Sequence, residues 1–167
     1  RFHIITLFPD SFSSYLGESI LKRAIEDKKI SVRFYNPRDF TLRPSSGQAK
    51  DKHKRIDRAP YGGGPGMVIQ AEPVIRAIES ALRSVKRIAF SVKKFRSHIQ
   101  KSLDAKRYTL NARIIWLSPS GRQFDTKMAK SYADKGTDII FICGRYEGID
   151  ARVKKVFKVE EVSVGPF

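Results

Sequence analysis

Segments of strand length alternate with segments of helical spacing, and this alternation constrains the fold more than any other feature of the chain. In the second half, strands are predicted at 113–118, 138–143 and just before the terminal glycine turn, with helices at about 125–134 and ending at about 156. The first half repeats the pattern with a buried strand at 2–8, a helix at 10–27, a strand at 31–36 and a helix at 72–82. Such alternation predicts an α/β fold, a mostly parallel sheet with helices on both faces.

Each of the three later strands runs into a turn that contains glycine. These turns lie at 118–121, at 144–148 and from 165 onward. Parallel strands end at the same edge of a sheet, and ligands bind in the crevice beyond their carboxyl ends. One such turn would need no explanation beyond a tight bend, but three in succession predict a small-molecule site.

A further glycine-rich stretch, "PYGGGPGM" at 60–67, is called here the glycine tract. It ends a predicted loop at 41–66 that is rich in Pro, Gly, Ser, Lys and Arg. It fits neither common phosphate-binding pattern, because Met67 and Val68 stand where Lys and Ser or Thr are needed, and because no strand leads into it. A nucleotide hydrolase is therefore not favoured.

Net charge is the strongest bulk signal. The chain has 33 Lys and Arg residues against 17 Asp and Glu, a net charge of +16. A nucleic-acid backbone is the common partner of such a chain, while an anionic membrane surface or solubility alone are the alternatives. A basic insertion at about 84–112 has amphipathic helical spacing, which suits either RNA contact or a solvated helix.

Other compositional signals are weak. The apolar runs are too short to span a bilayer and no secretory signal is visible, so a cytoplasmic protein is expected. Cys143 is the single cysteine and is interpreted as inert core. His3, His53 and His98 have no chelating spacing, so no metal site is predicted.

Six ordered motifs carry a family resemblance: "IITLFPDSF", "NPRDFT", "APYGGGPGMV", "LSPSGRQF", "ICGRYEGIDARV" and "EEVSVG". With them the chain resembles the bacterial tRNA (guanine-N1)-methyltransferases of the TrmD type. The resemblance implies a SPOUT-type fold with a C-terminal trefoil knot, whose loop is truncated here, and S-adenosylmethionine as the cofactor. It also implies a homodimer that methylates the guanine 3′ of the tRNA anticodon, at position 37, after that base is flipped out. The family's C-terminal helical tRNA-binding domain is absent from residues 1–167, and Mg²⁺ is implied by resemblance only.

The resemblance assigns the cofactor to the three glycine turns. The residues carried over are Leu117, Ser118, Pro119 and Gly121, then Gly144, Tyr146, Glu147 and Gly148, then Ser163, Val164, Gly165, Pro166 and Phe167. Apolar walls and bare backbone suit an adenine ring. The Glu147 charge would face the sulfonium or the ammonium group, with a surface ion pair to Arg145 or Arg152 as the alternative.

The resemblance places the substrate guanine under the glycine tract. Substrate contacts are expected from Tyr61, Gly62, Gly63, Gly64 and Gly66, with His53, Lys54, Arg55 and Arg58 meeting phosphates. Asp57 is expected to contact the guanine in a supporting catalytic role. The family's catalytic base is an aspartate beyond Phe167, so these 167 residues are expected not to turn over alone.

Two other functions remain open at this stage. A related methyltransferase could act on another RNA base, and a non-catalytic RNA-binding module could use the same fold and charge.

Overall fold

The computed structural model describes residues 1–41, 55–60, 62–85 and 112–166. Its main feature is a five-stranded sheet in the order β2–β1–β6–β5–β7, in which every neighbouring pair is parallel. A separate two-stranded antiparallel sheet joins β3 and β4. The elements are β1 Phe2–Ile5, α1 Ser13–Leu16, α2 Ser19–Glu26, β2 Val32–Tyr35, β3 Asp57–Arg58, β4 Val68–Ile69, α3 Ala71–Ser84, β5 Ala112–Gln123, α4 Thr126–Asp134, β6 Asp138–Ile142, α5 Arg152–Val156 and β7 Glu160–Ser163, with 3-10 turns at Pro9–Phe12 and Pro37–Phe40.

Helices cover both faces of the main sheet, as the alternation predicts. Successive strand residues point to opposite faces, so Ile114 and Ile140 join one core, with α3 and α5, while Ile115 and Ile139 join the other, with α4. Ile140 is fully buried. The predicted α/β class with a mostly parallel sheet is therefore confirmed.

The predicted helix at 10–27 is wrong as one continuous element. It divides into a 3-10 turn, α1 and α2, with a break at Gly17 and Glu18, and α2 begins at Ser19, whose φ is +53°. A side chain at Gly17 would approach the Ser13 carbonyl oxygen at 2.7 Å, so the first turn closes tightly on itself. Neither short helix has a buried residue, although their apolar side chains recur at helical spacing.

Three further boundaries differ from the sequence predictions. The predicted loop at 41–66 contains β3, and residues 42–54 and Tyr61 lie outside the described residues. The predicted turn at 118–121 lies inside β5, which continues to Gln123. The predicted buried strand at 2–8 ends earlier, at Ile5, and Phe8 is exposed. The basic insertion is bounded by α3 and β5 as expected, and its residues 86–111 lie outside the described residues.

A chain of polar side chains that begins at the buried His3 links β1, β2 and α3. His3 is 1% exposed, and its Nδ1 lies 3.0 Å from the Tyr35 hydroxyl, which donates to Ser84 Oγ at 2.9 Å. The His3 Nε2 lies 3.7 Å from Asp138 Oδ2, which is too long for a hydrogen bond. Burial lowers the pKa of His3, and the Asp138 carboxylate opposes that shift.

None of the helices in the described part of the chain combines the length and the apolar character that crossing a membrane requires.

Candidate functional site

The three glycine turns lie side by side at the carboxyl edge of the main sheet. β5 is flanked by β6 and β7, with Trp116 opposite Ile142 and Leu117 opposite Val162. Because neighbouring strands are about 4.8 Å apart, the ends of β6 and β7 are separated by roughly 10 Å. The predicted convergence of three strand ends is therefore confirmed.

The first turn is a bulge within β5. Both Leu117 and Arg122 are in register with Val162, so residues 118–121 leave the ladder and return to it. Ser118 and Ser120 are hydrogen-bonded through their hydroxyls at 2.9 Å. A side chain at Gly121 would lie 2.5 Å from Val162 N, so the close approach of the bulge to β7 requires glycine. Pro119 is exposed and Leu117 is half-buried.

The second turn follows β6 and reaches the glycine tract. Tyr146 has φ +59°, unusual for a residue with a side chain, and Gly148 has φ +122°. Gly148 N donates to Arg145 O at 3.1 Å and closes the turn. The Glu147 carboxylate accepts from Met67 N at 2.6 Å. Gly144 lies close to Ile149, since a side chain at this position would contact Ile149 Cγ1 at 3.7 Å.

The third turn follows β7. Ser163 is buried, and its hydroxyl donates to Gly165 O at 2.7 Å, which folds the turn back on the strand end. Val164 is 65% exposed and Pro166 is exposed, so this turn presents apolar surface at the sheet edge. Phe167 lies outside the described residues.

The glycine tract and Asp57 are brought to the same region by the small sheet. Asp57 is half-buried and pairs with Ile69 of β4, which follows the tract directly. Gly62, Gly63 and Gly64 face open space, with nothing within 4 Å of the position of a side chain. Arg55 and Arg58 are exposed beside Asp57, while His53, Lys54 and Tyr61 lie outside the described residues.

Sequence reasoning missed Phe8, which follows β1 at the same edge. Phe8 is 45% exposed, and the Arg145 guanidinium lies over its ring, 5.3 Å from the centroid. Since β1 pairs with β6, Phe8 stands beside the second turn. Pro9 was the available signal, because a proline directly after an apolar run marks the end of a strand. An aromatic ring under an arginine is a surface on which a purine can stack.

The described part of this edge includes one cysteine, Cys143, whose ionisation is perturbed. Burial raises the pKa of Cys143 to about 11, so its thiol stays protonated at neutral pH, as expected of an inert cysteine. Its predicted place in the core is wrong, because Cys143 is half-buried at the end of β6. Within residues 1–41, 55–60, 62–85 and 112–166, no three His, Cys, Asp or Glu side chains are grouped to hold a metal ion.

The residues at the edge fit an adenosyl group in chemical type. Leu117, Tyr146 and Val164 offer partly or largely exposed apolar surface, of the kind that lines small-molecule sites. A depression of about 610 Å³ also occurs on the outer surface of α4, lined by Thr126, Lys127, Lys130, Ser131, Asp134 and Lys135. That depression is lined by α4 and the residue after it, and the strand ends are the better candidate because three loops meet there.

Known proteins share this chain's sequence and fold. The model of the family described as tRNA (Guanine-1)-methyltransferase TrmD matches residues 1–167. A tRNA (guanine-N(1)-)-methyltransferase of Clostridioides difficile is 37% identical over the whole chain, and one of Geobacter metallireducens is 39% identical. The chain covers 59% and 55% of these two relatives.

A solved structure agrees with the sequence comparison. The crystal structure of the tRNA (m1G37) methyltransferase from Aquifex aeolicus matches the whole chain at 29% identity with a TM-score of 0.66, over 60% of its own length. This chain thus spans little more than half of the proteins it matches. The match of the family model to all of residues 1–167 places this chain in the tRNA (guanine-1)-methyltransferase TrmD family.

Proposed function

We propose that the protein containing this chain methylates N1 of the guanine at position 37 of tRNA, with S-adenosylmethionine as the methyl donor. One observation carries the proposal most directly: the glycine tract is bonded to the second of three glycine turns that converge at one sheet edge. A substrate loop beside a cofactor loop is the arrangement that direct methyl transfer needs, because donor and acceptor must meet in line. The TrmD family match supports the substrate and the reaction.

The cofactor would lie against the turns at 118–121, 144–148 and 163–166. Bound there, it supplies an electrophilic methyl group on a sulfonium. Residues of the chain would contribute apolar contacts from Leu117 and Val164 and backbone groups of the turns that contain Gly121 and Gly144. A trefoil knot in this region belongs to the proposal by family resemblance.

The guanine would lie beside the glycine tract, flipped out of the RNA stack. Its N1 carries a proton, so a general base must remove it before N1 can act as a nucleophile. We assign that base to an aspartate beyond the end of this chain, and Asp57 to a supporting contact with the guanine. Asp57 suits this role because β3 holds it, half-buried, next to the strand that ends the tract.

Phosphate contacts are proposed for the cations that precede the tract. Arg55 and Arg58 are exposed on either side of Asp57, where a flipped nucleotide would bring its backbone. The net charge of +16 supports an anionic partner of this kind. A tRNA substrate also implies that the protein works in the cytoplasm.

A homodimer is part of the proposal. Tyr15 and Ile20 are 74% and 70% exposed on α1 and α2, which have no buried residue. A second copy would cover apolar surface of this kind. Sedimentation of the full-length protein should give twice the monomer mass, and a monomer at micromolar concentration would contradict this part.

Methylation of paired tRNA transcripts tests the function. The full-length protein with S-adenosylmethionine should methylate a transcript with guanine at position 37, and should not methylate a matched transcript with adenine there. Equal methylation of both would indicate another target base. Calorimetry with the cofactor separates the remaining alternative, because a non-catalytic RNA-binding module would bind tRNA and give no heat with S-adenosylmethionine.

A further inference from the structure

We propose that Glu147 is a positioning residue that holds the glycine tract in place. Position 66 is then glycine because a side chain there would overlap the Glu147 carboxylate. The cofactor contact expected from family resemblance is a different role, in which the Glu147 charge faces the donor. The functional consequence of the new role rests on the proposed methyl transfer, while the contact itself does not.

Two hydrogen bonds join Glu147 and Met67 in opposite directions. Glu147 Oε2 accepts from Met67 N at 2.6 Å, and Glu147 N donates to Met67 O at 3.2 Å. The pairing continues along the chain, since Ile69 N donates to Gly148 O at 3.0 Å and Asp150 N donates to Ile69 O at 2.9 Å. A hydrogen bond to a carboxylate is roughly twice as strong as one between neutral groups. The end of the tract is therefore tied to the turn after β6 by backbone bonds and one side chain.

The backbone of the second turn aims Glu147 at the tract. Tyr146 has φ +59°, Gly148 has φ +122°, and the bond from Gly148 N to Arg145 O closes the turn between them. A residue with a side chain in the left-handed region carries conformational strain, which persists only where the surroundings hold it. The bond from Glu147 to Met67 is such a restraint.

Gly66 differs from the other glycines of the tract. A methyl group at Gly66 would overlap the carboxyl carbon of Glu147, whereas Gly62, Gly63 and Gly64 have open space at that position. The Glu147 side chain is flexible and would swing away from such a methyl group. It would then lose Met67 N, so an alanine at position 66 should release the tract without unfolding the domain.

Hydrogen exchange on the full-length protein tests the contact without any assay of function. Glu147→Ala should raise the exchange rate of the Met67 amide at least tenfold, and Glu147→Gln should restore it to within about threefold of the wild-type rate, because the glutamine amide oxygen still accepts. Gly66→Ala should reproduce the effect of Glu147→Ala. Gly64→Ala is the matched control, since Gly64 has φ +95° against +101° for Gly66 but no contact with Glu147.

Kinetics and calorimetry then distinguish positioning from cofactor binding. We expect Glu147→Ala to lower kcat/KM for tRNA at least tenfold, with the Kd for S-adenosylmethionine changed less than threefold, and Glu147→Gln to recover most of the loss. The proposal is overturned if the Met67 amide exchanges at the wild-type rate in Glu147→Ala. It is equally overturned if both variants lose cofactor affinity more than tenfold, because a neutral glutamine fails only where the charge itself is needed. If the wild-type protein methylates no tRNA, the proposed function fails while the exchange experiment still decides the contact.

Discussion

Replacing Gly121 by alanine tests the close packing of the β5 bulge against β7. The added methyl carbon would lie 2.5 Å from Val162 N and 2.6 Å from Glu161 C, and these are backbone atoms of a paired strand that have no room to yield. Overpacking of this kind costs about 1–3 kcal/mol. For a domain of this size 1 kcal/mol corresponds to about 2–4 °C, so Gly121→Ala should lower the Tm of this domain by about 2–12 °C.

Scanning calorimetry of the full-length protein measures the effect, with Gly62→Ala as the control. Gly62 is also outside the left-handed region, and a methyl group there would meet nothing within 4 Å, so its Tm should remain within about 2 °C of the wild-type value. The two substitutions are chemically identical and differ only in their contacts. Equal Tm values for both variants would refute the packing of residues 118–121 against β7.

Three further predictions concern buried or paired ionisable groups. Burial lowers the pKa of His3 below 6.5, so the stability that neutral His3 contributes should be complete above that pH and lost as the pH falls through the lower folded pKa, by at most about 1.4 kcal/mol per pH unit. His3→Asn should therefore flatten the dependence of the Tm on pH between 7 and 5. Parallel curves for the variant and the wild-type protein would contradict this. The pKa of Cys143, raised to about 11, should make its alkylation by iodoacetamide at pH 8 at least tenfold slower in the folded than in the denatured protein, and equal rates would show an accessible thiolate. The Tyr132 hydroxyl donates to Glu160 at 2.7 Å, and burial raises the pKa of Tyr132 to about 12. Tyr132→Phe should lower the free energy of unfolding by about 1–2 kcal/mol and remove an absorbance change above pH 11. An unchanged denaturation midpoint would contradict the hydrogen bond.

The strands and their common edge could be predicted because they depend on local periodicity and on a general rule of parallel sheets. The apolar run at 139–142 has the length of a strand. Because strands that alternate with helices run parallel, their carboxyl ends lie at one edge of the sheet. Register and pairing order need tertiary contacts, which the pattern does not contain. The family motifs added the expected cofactor and substrate of that edge, and the structure added where its loops touch.

The features that could not be predicted depend on backbone atoms far apart in the chain. The bond from Glu147 to Met67 joins residues 80 positions apart and uses a main-chain donor, which every non-proline residue has. The residues Ser-Pro-Ser-Gly at 118–121 are typical of a turn, so the sequence predicts that the strand ends before them. The structure shows that β5 continues, because Leu117 and Arg122 on either side of the segment both pair with Val162. The break at Gly17 could not be predicted because the helical spacing of apolar residues continues across it.

The position of β7 has a consequence for how the chain acquires its site during synthesis. β7 follows the other four strands of the sheet in sequence and, within the described residues, pairs with β5 at the border of the sheet, so β1, β2 and β6 have all their described neighbours before β7 leaves the ribosome, whereas β5 lacks one. β1, by contrast, pairs on one side with β2 and must wait for β6, more than 130 residues later, to complete its other side. Contacts between residues so far apart in sequence form slowly, and the third turn, which follows Ser163, takes its place only after them. Completion of the candidate site is therefore tied to the arrival of one short border strand.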